Sequence, residues 1–200
     1  MSLLTRLKKP AVTVAAIALW VSLVGVGISV LWRYSSTPGR AATPLSAWPG
    51  DAPVQRVKGR STLVMFAHPH CPCSRVSVGE LAILMAHARE KLDAYVFFYF
   101  PAQESSAWAR TDLWDSARSI PGVHAVEDPG GALALRFGAF TSGQTLLYNP
   151  DGRLEFNGGI TASRGHSGDN NGRHAILAML QGGTLERSMT PVFGCSLRGE

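Results

Sequence analysis

Acidic residues are absent from the first 40 positions of this chain, and charge is sparse throughout: Asp, Glu, Lys and Arg make up 16% of its 200 residues. A hydrophobic share of 46% beside so little charge excludes a disordered chain. The basic excess is confined as well. Arg6, Lys8, Lys9, Arg33 and Arg40 account for the whole formal charge of +5, and the 14 basic residues that follow are balanced by 14 acidic ones. The alkaline pI therefore belongs to the N-terminus. The remainder has no field to draw it to phosphates, so nucleic acid is not an expected partner. No internal repeat interrupts the chain, and its length fits one domain with a modest extension.

What is present begins with 22 uncharged residues, Ala11 to Trp32. As a helix they would cover ~33 Å, enough for a bilayer core of ~30 Å. Basic residues crowd the side before them and Arg33 alone follows closely, which places residues 1–10 in the cytoplasm and the rest outside. Trp32 and Tyr34 suit the outer interface. A cleaved signal peptide is the alternative, but its apolar core would be ~7–15 residues, and Val30-Leu31-Trp32-Arg33 makes a poor cleavage site. The expectation is a single-pass anchor at 11–32 in the inner (cytoplasmic) membrane. A Pro-, Ser-, Ala- and Gly-rich spacer at 33–54 would lift a soluble domain at 55–200 off the surface.

In the soluble part, Ser61–Phe66 and Asp93–Phe100 read as buried strands, the second apolar throughout. Between them, Val78, Leu81, Leu84, Met85 and Ala88 recur at helical spacing over 74–92, with Glu80, Glu90 and Lys91 on other faces. Ser105–Ser119 reads as helix, Val123–Val126 as a brief strand and Gly130–Phe137 as a short helix. Gln144–Tyr148 and Arg153–Asn157 flank Asn149-Pro150-Asp151-Gly152, a strong hairpin signal. Arg173–Gln181 is the last helix. The economical packing is α/β: a parallel core with an antiparallel hairpin on one side and helices on both faces.

Cysteine is scarce, and two of the three, Cys71 and Cys73, lie in His68-Pro69-His70-Cys71-Pro72-Cys73-Ser74-Arg75, between a strand and the start of a helix. A helix N-terminus presents unpaired N–H groups and partial positive charge, which favour the thiolate, the attacking form of cysteine. His70 and Arg75 are candidates to add to this field. Two other readings stand beside redox chemistry. One is a structural disulfide to Cys195; the other is Cu(I) or Zn(II) held by Cys71, Cys73 and His68 or His70, although no zinc-finger spacing is present.

These residues resemble the thioredoxin-like proteins, in particular the membrane-anchored extracytoplasmic branch related to cytochrome-maturation thioredoxins, and within it the group labelled RedB-type. The resemblance covers roughly residues 51–185. It rests on the spacing of Phe66 to Cys71, on Phe137-Gly138-Ala139, on Gln144–Tyr148 and on Asp151-Gly152. It implies a thioredoxin-like fold, a central mixed sheet with a C-terminal β-hairpin, and thiol–disulfide exchange with protein thiols or disulfides. Cys71 takes the nucleophile position and no cofactor is required, copper delivery being the alternative activity. This sequence departs from the family pattern twice. The usual resolving position holds Ser74, with Cys73 one residue closer, where a bond to Cys71 would close a small strained ring. The proline that faces the active cysteine in the family aligns on Gly143. A pattern for thiol-dependent peroxidases, Pro-x-x-x-Thr-x-x-Cys, is absent.

Two further segments carry chemistry-bearing residues. In this fold the loop 158–172 ends on the edge that holds the first thiol, which would bring Arg164, His166 and Asp169 towards Cys71. The plain alternative is a solvated polar turn, and the run 169–172 lacks the distal Glu of a calcium loop. Cys195, alone in the tail, is a candidate third redox residue, resolving thiol or mixed-disulfide partner. A non-catalytic interaction domain that merely keeps the fold remains the third class of function.

Overall fold

The computed structural model describes residues 3–183 and 188–198. The chain forms two units, which divide after Ser36. The first is a single helix, α1 (Leu3–Ser36), whose stretch Pro10–Ser36 is long and apolar enough to cross a membrane. It runs four residues beyond the expected end at Trp32.

The second unit contains β1 (Ser61–Ala67), α2 (Pro72–Ala88), β2 (Leu92–Phe100), α3 (Asp112–Arg118), β3 (Val123–Pro129), α4 (Ala132–Arg136), β4 (Thr145–Tyr148), β5 (Leu154–Gly158) and α5 (Asn171–Leu180). Its sheet has the order β3-β2-β1-β4-β5. β1, β2 and β3 are parallel, while β4 runs antiparallel to both β1 and β5. β1 is the central strand and is buried at every position, which explains why it reads as an unbroken apolar run rather than an alternating one.

Alternation along β1 instead sorts side chains between two cores. Leu63 and Met65 join Val78, Leu81 and Leu84 of α2, Leu113 of α3 and Ile176 of α5. Val64 and Phe66 face the other way, to Phe137, Tyr148 and Leu197. Among the described residues of this unit, the short α4 is the one helix that covers this second face, and the segment read as a spacer completes it. Trp48 stands edge-on to Phe137 at 5.2 Å and to Tyr148 at 5.3 Å. The Trp48 N–H donates to the Gly152 carbonyl at 2.8 Å, and the Leu154 N–H donates to Ser46 at 2.9 Å. Residues 39–54 are therefore part of the domain and not a spacer. Their composition predicted flexibility, but one tryptophan and several backbone hydrogen bonds outweigh it.

The hairpin forms as expected, with the Asn149 side chain accepting from the N–H groups of Asp151 and Arg153. The expected helix over 105–119 is split into a turn at Ser106–Trp108 and α3. β3 extends to Pro129, three residues beyond expectation.

Candidate active site

Cys71 sits at the N-cap of α2, with Pro72 at the first helical position, where its missing N–H costs nothing. In the helix-capping arrangement a side-chain acceptor takes the N–H groups of the first turn, and here the acceptor is sulfur. Cys71 receives hydrogen bonds from the backbone of Cys73 and Ser74. Its own N–H donates to the His68 carbonyl at 3.0 Å, which fixes the turn out of β1.

The nearest sulfur contact comes from the far end of the chain. Cys195 Sγ lies 2.7 Å from Cys71 Sγ, with both residues as thiols. The tail reaches this point as irregular chain held by one isolated bridge. Thr141 and Ser196 form an antiparallel bridge, the Ser142 N–H donates to Cys195 O at 2.8 Å, and the Leu197 N–H donates to Phe140 O at 2.9 Å. Leu197 is buried in the second core, and Arg164 donates to the Gly194 carbonyl. Gly194 is required by contact: a Cβ there would fall 1.8 Å from Ser142 O, so any side chain would push the tail away. Covered in this way, Cys71 is only 4% exposed, while Cys195 stays half-buried.

The three thiols hold their protons differently. Burial is the largest influence on Cys71 and raises its pKa, but hydrogen bonds from the Cys195 thiol and backbone and from the α2 backbone together outweigh it, and the net shift is downward. Cys195 is pushed up to about 12, first by burial and then by its hydrogen bond to Cys71 and the charge there. Cys73 is also raised, by burial and then by the Cys71 charge, with Arg164 acting in the opposite sense. Cys71 is thus the most readily ionised of the three, and its sulfur shares a hydrogen bond with that of Cys195.

Ser74, in the position where the family resolves, has turned inward. Its hydroxyl donates to the His68 carbonyl at 3.0 Å and lies 2.5 Å from Ser142 Oγ, which in turn accepts from the His68 N–H at 2.9 Å. Gly143 adopts φ +88° and its N–H donates to Phe66 O at 2.7 Å, tying the start of β4 to β1. A side chain at Gly143 would be strained at that φ. The residue before it, Ser142, makes the contacts with the thiol region and with the tail.

His68 and His70 flank the site but turn to aromatic neighbours. The His70 ring stands 4.4 Å from that of Trp108, and the His68 ring is stacked 5.7 Å from Tyr99. Burial, followed by the charge of His70, lowers the pKa of His68. Among the described residues, no group of three or more His, Cys, Asp or Glu side chains is gathered where it could hold a metal ion. The Cys71, Cys73 and His set considered for copper is therefore not assembled in this arrangement. Arg75 is exposed and paired with Asp112 at 2.8 Å, so it does not bear on the thiols.

Of the loop residues, Arg164 reaches the site through Gly194 and its influence on Cys73 and Cys195. His166 stays exposed, and Asp169 is turned to Arg173 and His174. The loop is held by a residue whose spacing placed it off the core face of α2. Glu80 is 1% exposed, accepts from the Gly168 N–H at 2.7 Å and from Asn170 Nδ2 at 3.1 Å, and pairs with Arg173 of α5. A buried carboxylate needs such partners. It lies two turns after Cys73 on α2, so the same helix that presents the thiols also anchors the loop beside them. Sequence reading missed Ser142, Glu80 and Arg198; a lone Glu at a helix position in register with core residues was the available signal for the second.

The strand order, the hairpin and the placement of Cys71 at the turn from β1 into α2 decide the architecture. The fold is thioredoxin-like. No known family profile and no curated protein matches the chain. Among solved structures, it is similar to a hypothetical protein of Sinorhizobium meliloti 1021, with 21% identity and a TM-score of 0.59 over 82% of this chain and 95% of that one. It is also similar to an uncharacterised conserved protein of Geobacillus kaustophilus, with 18% identity and a TM-score of 0.58 over 82% and 93% of the two chains. A weaker likeness, with a TM-score of 0.45 and 13% identity over 62% and 83%, is to a secreted Mycobacterium tuberculosis disulfide oxidoreductase. The first two support a shared thioredoxin-like fold and no more.

Proposed function

We propose that this chain is a membrane-anchored thiol–disulfide exchanger acting outside the cytoplasm on protein thiols or disulfides, with Cys71 attacking and Cys195 resolving. The observation that carries this reading is the 2.7 Å approach of the two sulfurs at the N-terminus of α2. The Cys71 thiolate attacks one sulfur of a partner disulfide, forming a mixed disulfide and expelling the other sulfur as a thiolate that takes a proton. That step removes the Cys71 charge, one of the causes that keeps Cys195 protonated. Cys195 can then ionise and attack Cys71 Sγ, releasing the second partner thiol and leaving a Cys71–Cys195 disulfide. Two electrons pass from the protein dithiol to the partner; external thiols, oxidised to a disulfide, return them. Resolution is thereby timed to follow attack. A protein partner must lift the tail to reach Cys71, and the tail is held by hydrogen bonds and by buried Val192, Phe193 and Leu197 rather than by a covalent bond. The basic residues before α1 support the extracytoplasmic placement.

The test uses the full chain in its membrane. Cys71→Ser should abolish exchange with a small aromatic disulfide, and Cys195→Ser should accumulate mixed disulfides visible on non-reducing gels. A membrane-impermeant thiol reagent should label Cys195 in intact cells. Undiminished exchange by Cys71→Ser would remove the redox assignment, and labelling only after lysis would remove the location.

A further inference from the structure

Beside the sulfur pair lies a groove of about 530 Å³, within the range of small-molecule sites. It is lined by Cys195 together with Arg40, Arg164 and Arg198, and by Phe140, over whose ring Arg40 sits at 3.9 Å. Among the described residues, no acidic side chain lines it. Asp128, buried nearby, is engaged by the backbone N–H groups of Leu133 and Ala134 at 2.7 and 3.0 Å and also feels the Arg198 charge. The three guanidinium groups come from the N-terminal segment, the loop before α5 and the tail, so nothing local in the sequence brings them together. Cys71 is not part of this lining.

We infer that the groove binds a small anionic thiol, one carrying carboxylates, and that this thiol returns electrons to the protein by attacking Cys195. The inference rests on the Cys71–Cys195 reading above. In the oxidised protein, Cys71 is the covered sulfur and Cys195 the one that faces the groove. The incoming thiolate attacks Cys195 Sγ, a Cys195–S–S–R bond forms, and the Cys71–Cys195 bond breaks with Cys71 leaving as thiolate. Cys71 is the better leaving group, because its thiolate is the one the helix start and the tail backbone stabilise. A second anionic thiol attacks the R sulfur, giving R–S–S–R and returning Cys195, which takes up a proton. Two thiols are oxidised to one disulfide, and the protein disulfide becomes two thiols. Electrons thus arrive at Cys195, whereas partner disulfides are met by Cys71.

The test begins with the oxidised full-length protein, in which peptide mapping first establishes the Cys71–Cys195 bond. Its reduction rate is then measured with three small thiols of equal size that are anionic, neutral and cationic, each rate expressed per thiolate. The anionic thiol should exceed the cationic one by about tenfold at low salt, the scale of electrostatic focusing in a charged cleft, and the gap should close at 1 M salt. Arg40→Glu with Arg198→Glu should reverse the order, while Arg118→Glu, a single charge reversal on α3 outside the groove, should preserve it. In Cys71→Ser, the anionic thiol's disulfide should place its adduct on Cys195. Equal rates for the three thiols, or an order unaffected by the groove variants, would overturn the inference while leaving the exchange reading intact. Failure to find the Cys71–Cys195 bond would instead overturn the exchange reading.

Discussion

The two segments that flank the domain in sequence, residues 39–54 and 188–198, do similar things by different means. Both pack onto the sheet domain with no regular structure beyond isolated bridges. The N-terminal segment is fastened by Trp48, whose ring packs against Phe137 and Tyr148. The C-terminal segment is fastened by backbone pairing to Phe140–Ser142, by Leu197 and by the contact of Gly194 with Ser142. Only the second carries a thiol. The N-terminal strap is anchored by one half-buried ring, whereas the C-terminal arm adds buried Val192, Phe193 and Leu197 to edge hydrogen bonds that contribute about 1 kcal/mol each.

The largest effect that would sharpen this contrast is covalent. Oxidation to the Cys71–Cys195 bond closes a loop of over 100 residues and should raise the unfolding free energy by up to about 4.7 kcal/mol in the chain-entropy model. Urea unfolding of oxidised and reduced protein would measure it, with Cys195→Ser showing no such dependence. Equal stability of the two forms would mean that the arm is no looser than the strap.

A smaller effect should appear at the strap. Trp48→Ala should lower stability by about 2 kcal/mol, less than a fully buried tryptophan because the ring is only half-buried. The same variant should leave the alkylation rate of Cys71 unchanged in the folded protein, as followed by mass spectrometry. A rise in that rate would show that strap and arm are coupled through Phe137 and the second core.

The smallest effect concerns pH and the arm alone. Cys195 docked has a pKa pushed up to about 12, against roughly 8.5 for a free thiol. A raised pKa gives docking a contribution that is fully present below the free value and is lost as pH rises towards the docked one. The lowered pKa of Cys71 acts with the opposite sign, favouring docking above its own titration. The arm is therefore held best when the pair shares one proton. Limited proteolysis of the tail should increase between pH 8 and pH 10 as the second proton leaves, and Cys195→Ser should show no such rise. Absence of the increase would mean that backbone pairing alone holds the arm.

Much of this architecture could be read from local patterns. The unbroken apolar run of β1, the helical spacing from Val78 to Ala88 and the Asn-Pro-Asp-Gly turn each act within a few residues, so their physics is written in adjacent letters. The placement of Cys71 at a helix start was legible for the same reason, since an N-cap is a local position. Glu80 was not, because its burial depends on Asn170 and Arg173 arriving from another helix. Residues 39–54 misled, because a Pro- and Gly-rich composition describes backbone freedom but not what one tryptophan can reach.

By itself, the sequence determined the apolar N-terminal helix, the thioredoxin-like order of strands and helices, and the thiol at the start of α2, since each depends on periodicity or on neighbours in the chain. The tertiary structure alone decided which sulfur Cys71 meets. Cys73 is only two residues away in the chain, yet Cys195 makes the close approach, because the tail pairs with Phe140–Ser142 and finds a core site for Leu197. The arginine groove beside that pair has the same origin. Its three charges are separated by long stretches of chain, and only folding sums them into one field.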